Sequence, residues 1–144
     1  MICAIMQPTY FPWSGYFNLI YKSDKFVFLN DAQYSKGSWH NRNVIIVNNI
    51  KHTLTIPTKK SPLSTMIMDK LIDNSTNWQK KHAKIITQAY SAHPFIEDLN
   101  QLVEFFEKLE FQYLYEMNIE IIKFISEKLN LKTNFLNSNN FNLT

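Results

Sequence analysis

Two glycines, Gly15 and Gly37, are all that this 144-residue chain contains. The Walker A loop and the Gly-x-Gly-x-x-Gly dinucleotide fingerprint are thereby excluded. Cysteine is scarcer still. Cys3 stands alone inside the apolar run of residues 2–6, so no internal disulfide can form, and a buried thiol in a reducing, cytoplasmic setting is expected. No stretch approaches the roughly 18 apolar residues of a membrane span. The opening Met-Ile-Cys-Ala-Ile-Met also lacks the basic start of a signal peptide. The four histidines, His40, His52, His82 and His93, have no Cys or His neighbours at metal-ligand spacing, so no metal site is expected. Net charge is only +3, and the lysines are scattered apart from Lys59-Lys60 and Lys80-Lys81 with Lys84. A nucleic-acid footprint is normally more concentrated, which makes nucleic acid an unfavoured partner. Arginine is the last scarcity: Arg42 is single against fourteen lysines.

What is present is a packed globular composition, 45% apolar and 15% aromatic, in a chain of ordinary single-domain size. No repeat, low-complexity linker or acidic tail divides it, and one α/β domain over residues 1–144 is expected. Residues 2–6 read as a short buried strand. A loop over residues 7–13 feeds a helix that Ser14 can cap, with Tyr16, Phe17, Leu19 and Ile20 on its apolar face. Residues 25–29 form a second strand, parallel to the first across a right-handed connection. Residues 43–47 and 51–56, joined by residues 48–50, read as a β-hairpin. Pro57 and Pro62 bracket a basic, mobile loop.

Residues 64–72 fit neither period cleanly, and a strand over 66–72 is the preferred reading. Trp78, His82, Ile85, Ile86, Ala89 and Tyr90 recur at helical spacing, with Lys80, Lys81, Lys84 and Gln88 opposite. On that apolar face His82 reads as a core histidine. Pro94 opens a third helix that buries Leu99, Leu102, Val103 and Phe106, and a fourth lies between Phe111 and Leu129. Residues 133–136 look like a last strand, followed by a polar, irregular end. The expected architecture is a strand–helix–strand unit plus hairpin, a small mixed sheet, covered by about three C-terminal helices.

Polar and aromatic residues gather at the expected strand ends. Gln7, Pro8, Thr9, Tyr10, Trp13, Ser14 and Gly15 follow the first strand, Asp31 and Gln33 the second, and Trp39, His40, Arg42 and Asn43 precede the hairpin. Parallel α/β units place ligands beyond the carboxyl ends of their strands. A helix starting near Ser14-Gly15 would offer free N–H groups to a phosphate or carboxylate, Gly15 would permit close approach, and the Arg42 fork could grip the same anion. The alternative for Arg42 is a structural ion pair with Asp24, Asp31 or another internal acid. Asp31 and Gln33, two apart, share one side if the second strand extends through them. Asp31 can act as a general base or simply form a turn. His40 can act as acid or base, or be a solvated loop histidine. Trp13, Trp39, Tyr10, Tyr16 and Tyr34 can stack on a base or sugar, or pack a core; with Arg42 and Lys36 they also permit a single-strand nucleic-acid reading.

These blocks carry a resemblance. Gln7-Pro8-Thr9-Tyr10-Phe11-Pro12-Trp13-Ser14-Gly15-Tyr16-Phe17 resembles the hallmark of the WbqC-like family. So, in order and spacing, do residues 24–34, Ser38-Trp39-His40-Asn41-Arg42-Asn43, Leu54-Thr55-Ile56-Pro57, and residues 74–82 with Trp78-x-Lys80-Lys81-His82. The family is associated with bacterial O-antigen and other surface-polysaccharide clusters. The resemblance implies a transferase-like protein that binds a sugar nucleotide or related phosphorylated substrate, or a non-catalytic module engaging a protein partner or a second copy in the same pathway. It assigns no cofactor. Family members continue past the position of Thr144 with a further α/β segment, which implies a fragment or a minimal form. The strand–loop–helix entry is also similar to the nucleotidylyltransferase superfamily, but the loop histidines of that group are missing before His40.

Overall fold

The computed structural model describes residues 1–141. The first strand, β1 (Cys3–Met6), runs through a loop into α1 (Ser14–Tyr21) and returns as β2 (Lys25–Phe28), paired parallel with Ala4 opposite Phe26. β3 (Arg42–Val47) and β4 (Ile50–Thr55) form the antiparallel hairpin. Three helices follow, α2 (Trp78–Tyr90), α3 (Ile96–Lys108) and α4 (Leu114–Lys128), before β5 (Asn134–Asn137) joins the far side of β2, again parallel. The parallel and antiparallel parts expected of the sheet are thus a three-stranded sheet of order β1-β2-β5 and a two-stranded hairpin.

Two apolar cores hold these layers. One face of the parallel sheet, carrying Ala4, Phe26 and Phe28, receives Tyr16, Phe17 and Ile20 from α1 and Ile119 and Ile122 from α4. The second core gathers Leu54 of the hairpin with Tyr10, Ile56, Ile72, Trp78, Ile86, Phe106, Leu114, Met117 and Ile121. α4 belongs to both. Its buried positions fall around most of its circumference, as a helix enclosed on two sides requires.

Several local expectations are corrected. Cys3 is exposed because β1 is an edge strand whose residues alternate faces: Ala4 is buried, while Cys3 and Ile5 are exposed. Ser14 is already helical. Trp13 occupies the N-cap without a side-chain cap, and α3 begins at Ile96 rather than at Pro94. The hairpin turn has two residues, because Asn48 and Asn49 both adopt left-handed φ values, 49° and 63°. The strand expected over 66–72 is instead a single 3-10 turn, Ile67–Asp69, flanked by isolated bridges of Met66 to Gln33 and Leu71 to Tyr113. Cross-strand partners reach that segment one residue at a time, so no ladder forms.

The basic loop after Pro57 is tied down. The Lys59 amide donates to the Leu71 carbonyl at 3.0 Å, and the Lys70 ammonium donates to the Lys59 carbonyl and to Ser61 Oγ at 2.7 Å each. The irregular polar end expected after residue 136 also has structure: a 3-10 turn, Ser138–Asn140, follows β5. Ser138 Oγ accepts from the buried Asn30 amide at 2.9 Å and donates to Asp31 at 2.5 Å.

Candidate functional site

The loop over residues 7–13 is held chiefly by buried polar contacts. Tyr10 is buried and its hydroxyl meets His82 Nδ1 at 2.8 Å, so it is a core residue. Desolvation raises the Tyr10 phenol and lowers His82 to about 4, against a smaller upward pull from the Thr55 carbonyl. Asn118 of α4 donates to the carbonyls of Pro8 (3.3 Å) and His40 (2.8 Å), joining this loop to the segment before β3. The Tyr10 amide completes the join by donating to the Trp39 carbonyl at 2.9 Å. Phe11 sits at φ 46°, a costly conformation for a residue with a Cβ. The Asn43 amide clamps it by donating to the Tyr10 and Phe11 carbonyls at 3.0 and 2.5 Å.

Asn43 and Arg42 are neighbours on β3 and therefore project to opposite sides. Asn43 faces residues 10–11. Arg42 faces the other way, into a cavity of about 610 Å³ between residues 34–42 and the loop after Pro57. Lys36, Arg42, Lys59, Lys60 and Lys70 line it, with Tyr34, Asn41, Thr55, Thr58 and Ser61, and no Asp or Glu contributes. Arg42 lies 5.9 Å over the Trp39 ring and Lys70 4.9 Å over Tyr34. Among the described residues no carboxylate is within ion-pair distance of Arg42. Asp24 instead faces the N-terminus, accepting from the Ile2 amide at 2.6 Å, and Asp31 accepts from Ser138. Burial, reinforced by Lys36, holds Lys70 below the ordinary lysine range. Burial raises Tyr34, a hydrogen bond with Thr58 opposing it.

The residues singled out in the sequence therefore separate into two groups. Of the residues before and at the start of β3, Arg42 lines the cavity, whereas its chain neighbours Trp39, His40 and Asn43 do not, and Asn43 faces residues 10–11. None of residues 7–15 lines the cavity, so the α1 N-terminus and Arg42 do not converge on one anion. The space above Gly15 is taken by a side chain: a Cβ there would lie 1.8 Å from the Trp13 ring. Thr9 is half-buried, and Trp13 and Ser14 are exposed away from the cavity lining. β2 ends at Phe28, so Asp31 and Gln33 do not share a strand face. Gln33 donates to the Leu63 carbonyl at 2.7 Å, bracing the loop that closes the cavity.

His40 is buried rather than solvated, and desolvation lowers its pKa. Its Nδ1 is 2.7 Å from Ser38 Oγ and its Nε2 is 2.9 Å from Gln7 Oε1. Sequence reasoning missed Ser38, Asn118 and Lys70. Lys59 and Lys60 had a signal in their adjacency beside Pro57, whereas Lys70 and Asn118 sit singly inside segments whose partners are distant in the chain.

This is a small α/β protein with an acid-free cationic cavity and, on the chain segment that lines it, a partly buried hydrogen-bond chain running from Ser38 through His40 to Gln7. The chain belongs to the WbqC-like protein family, whose model matches residues 7–144. It is 33% identical over 142 residues to "Uncharacterized protein Rv1507c" of Mycobacterium tuberculosis (strain ATCC 25618 / H37Rv), an alignment covering 97% of this chain and 61% of that protein. The chain thus spans less than two thirds of the length of that relative. No solved structure matches it. Among the described residues no helix is long and apolar enough to cross a membrane.

Proposed function

We propose that the chain binds a sugar nucleotide or related phosphorylated substrate in the cationic cavity, as a transferase-like protein of bacterial surface-polysaccharide biosynthesis. The observation that carries this reading is the lining: five cations, one of them a nearly buried lysine, with no acid to neutralise them. Such a cluster is self-repelling when empty and is relieved by a multiply charged anion. Arg42 supplies the planar fork suited to phosphate, and the lysines act as point charges. Asn41 belongs to the same wall, its amide nitrogen donating to the Ile56 carbonyl at 3.0 Å and its Oδ1 buried with no partner among the described residues.

Titration calorimetry with a panel of uridine, guanosine and cytidine diphosphate sugars is the test, and at least one member should bind. Arg42→Lys keeps charge but loses the fork, and should weaken binding roughly 10-fold or more. Heatless titrations across the panel with folded protein, or full affinity in the Lys variant, would sink the proposal.

A second reading, a non-catalytic module for a protein partner, has its own observation. Two apolar clefts of about 270 and 240 Å³ share Tyr90, Leu99 and Leu102 on the helical half, beside Phe95, which is 66% exposed. Titration of the Phe95→Asp variant against the panel separates the two, since sugar-nucleotide binding should be unaffected by a charge on that face. Loss of panel binding in the folded variant would place the ligand on the helical face and count against the cationic cavity, whereas a panel that binds neither protein leaves the second reading standing.

A further inference from the structure

The segment that supplies Gly37, Asn41 and Arg42 to the cavity also carries, between them, a hydroxyl and an imidazole in direct contact. Ser38 is half-buried, and its Oγ lies 2.7 Å from His40 Nδ1. On the far side of the ring, Nε2 lies 2.9 Å from Gln7 Oε1. With the Gln7 carbonyl oxygen facing Nε2, that nitrogen carries the proton and Nδ1 is the free acceptor. Ser38 Oγ accepts from the His40 backbone amide at 3.4 Å, which leaves its own proton for Nδ1.

The relay is held at each member. The main-chain carbonyl of Gln7 accepts from the Tyr16 hydroxyl at 3.1 Å, and Asn118 anchors the main-chain carbonyl of His40. Desolvation keeps the imidazole neutral near pH 7, the state in which it can take a proton. A hydroxyl on a base that is itself oriented by a third group is the arrangement of an activated nucleophile. A merely structural serine does not require the half-buried Gln7 partner on the opposite ring nitrogen.

We propose that Ser38 is a nucleophile, activated by His40 and oriented through Gln7, that attacks a phosphorus centre of the ligand held by the adjacent cationic cavity. This rests on the cavity reading above. In the step, the Ser38 Oγ–P bond forms as the bond from phosphorus to its bridging oxygen breaks. The hydroxyl proton passes to His40 Nδ1 and then to the departing oxygen. Attack on the phosphoserine or nucleotidyl-serine by an acceptor hydroxyl forms the new O–P bond as the Ser38 Oγ–P bond breaks. The acceptor's proton passes to His40 Nδ1 and from there to Ser38 Oγ, which regenerates the enzyme. Arg42 and the cavity lysines offset the charge that accumulates on the phosphoryl oxygens.

The test uses a fluorophosphonate probe, a phosphorus electrophile that needs no knowledge of the natural ligand, on the full chain with peptide mapping by mass spectrometry. Ser38 should be the labelled residue. His40→Asn and Gln7→Ala should each slow labelling, the former roughly 100-fold or more, with circular dichroism confirming that both fold. Inorganic pyrophosphate should slow labelling of the unmodified protein. Calorimetry with pyrophosphate keeps the two proposals apart. Pyrophosphate binding without Ser38 labelling overturns the nucleophile and leaves the cavity standing. Labelling that is indifferent to bound pyrophosphate overturns the link between them, and labelling that survives undiminished in folded His40→Asn overturns the activation of Ser38 by His40.

Discussion

His82 and His40 are both buried with desolvation lowering their pKa values, His82 to about 4. Between an unfolded value near 6.5 and these lower folded values, the unfolded chain binds more protons, so stability must fall as pH drops through that window. Urea midpoints measured from pH 7 down to pH 4.5 should therefore decline. His82→Gln should flatten part of the decline, and an unchanged slope would remove His82 as its source. Asp73 acts in a lower window. Its carboxylate is favoured by Ser75, so its contribution is lost only as pH falls below the ordinary carboxylate range. At this scale the sequence was informative about type and silent about direction. The solitary guanidinium of Arg42 marked a binding surface candidate, but its partners depend on which way the first residue of β3 points, and the hairpin sets that by pairing Arg42 with Thr55. Tyr10 and Trp13 sit in one aromatic motif, yet one is enclosed by α2 and α3 and the other lies over Gly15.

Helices and parallel strands were legible because their apolar periods extend over whole elements: α2 runs over the expected residues 78–90, and β1 and β2 pair parallel. Short features set by single residues were not. The hairpin turn depends on Asn48 and Asn49 both accepting left-handed backbone, which placed the turn one residue shorter than the sequence suggested. Asn49→Val, a β-branched residue at φ 63°, should cost about 1–2 kcal/mol, whereas Asn49→Gly should be neutral or stabilising. Thermal denaturation of the pair decides it, and equal stabilities would contradict the turn geometry. Because β3 carries Arg42 and Asn43 to opposite sides, a slipped hairpin would exchange their environments. Asn49→Val should thus weaken pyrophosphate binding only if the register changes, which a retained melting transition with lost affinity would reveal.

Two cores meet on one helix. Leu114, Met117 and Ile121 of α4 face the hairpin and α2–α3, while Ile119 and Ile122 face the parallel sheet. Asn118 lies between these sets and ties together the loop after β1 and the segment before β3 by its bonds to the Pro8 and His40 carbonyls. An Asn inside an apolar helix gives no sequence signal of that duty, since its acceptors are remote in the chain. Shared burial on α4 leads us to expect one cooperative unit over the described residues. Unfolding followed by tryptophan fluorescence, in which Trp78 reports the hairpin-side core, should coincide with far-ultraviolet circular dichroism, which reports all helices. Met117→Ala and Ile122→Ala, one in each core, should each cost about 2–5 kcal/mol and move both signals together. Separate transitions, or a substitution that shifts one probe alone, would show that the cores fold independently and that α4 does not couple them. If they do couple, packing at Ile122 stabilises the cavity through Asn118. Below the melting temperature Ile122→Ala should then leave the affinity for pyrophosphate intact, and near it the same variant should lose binding in proportion to the unfolded fraction.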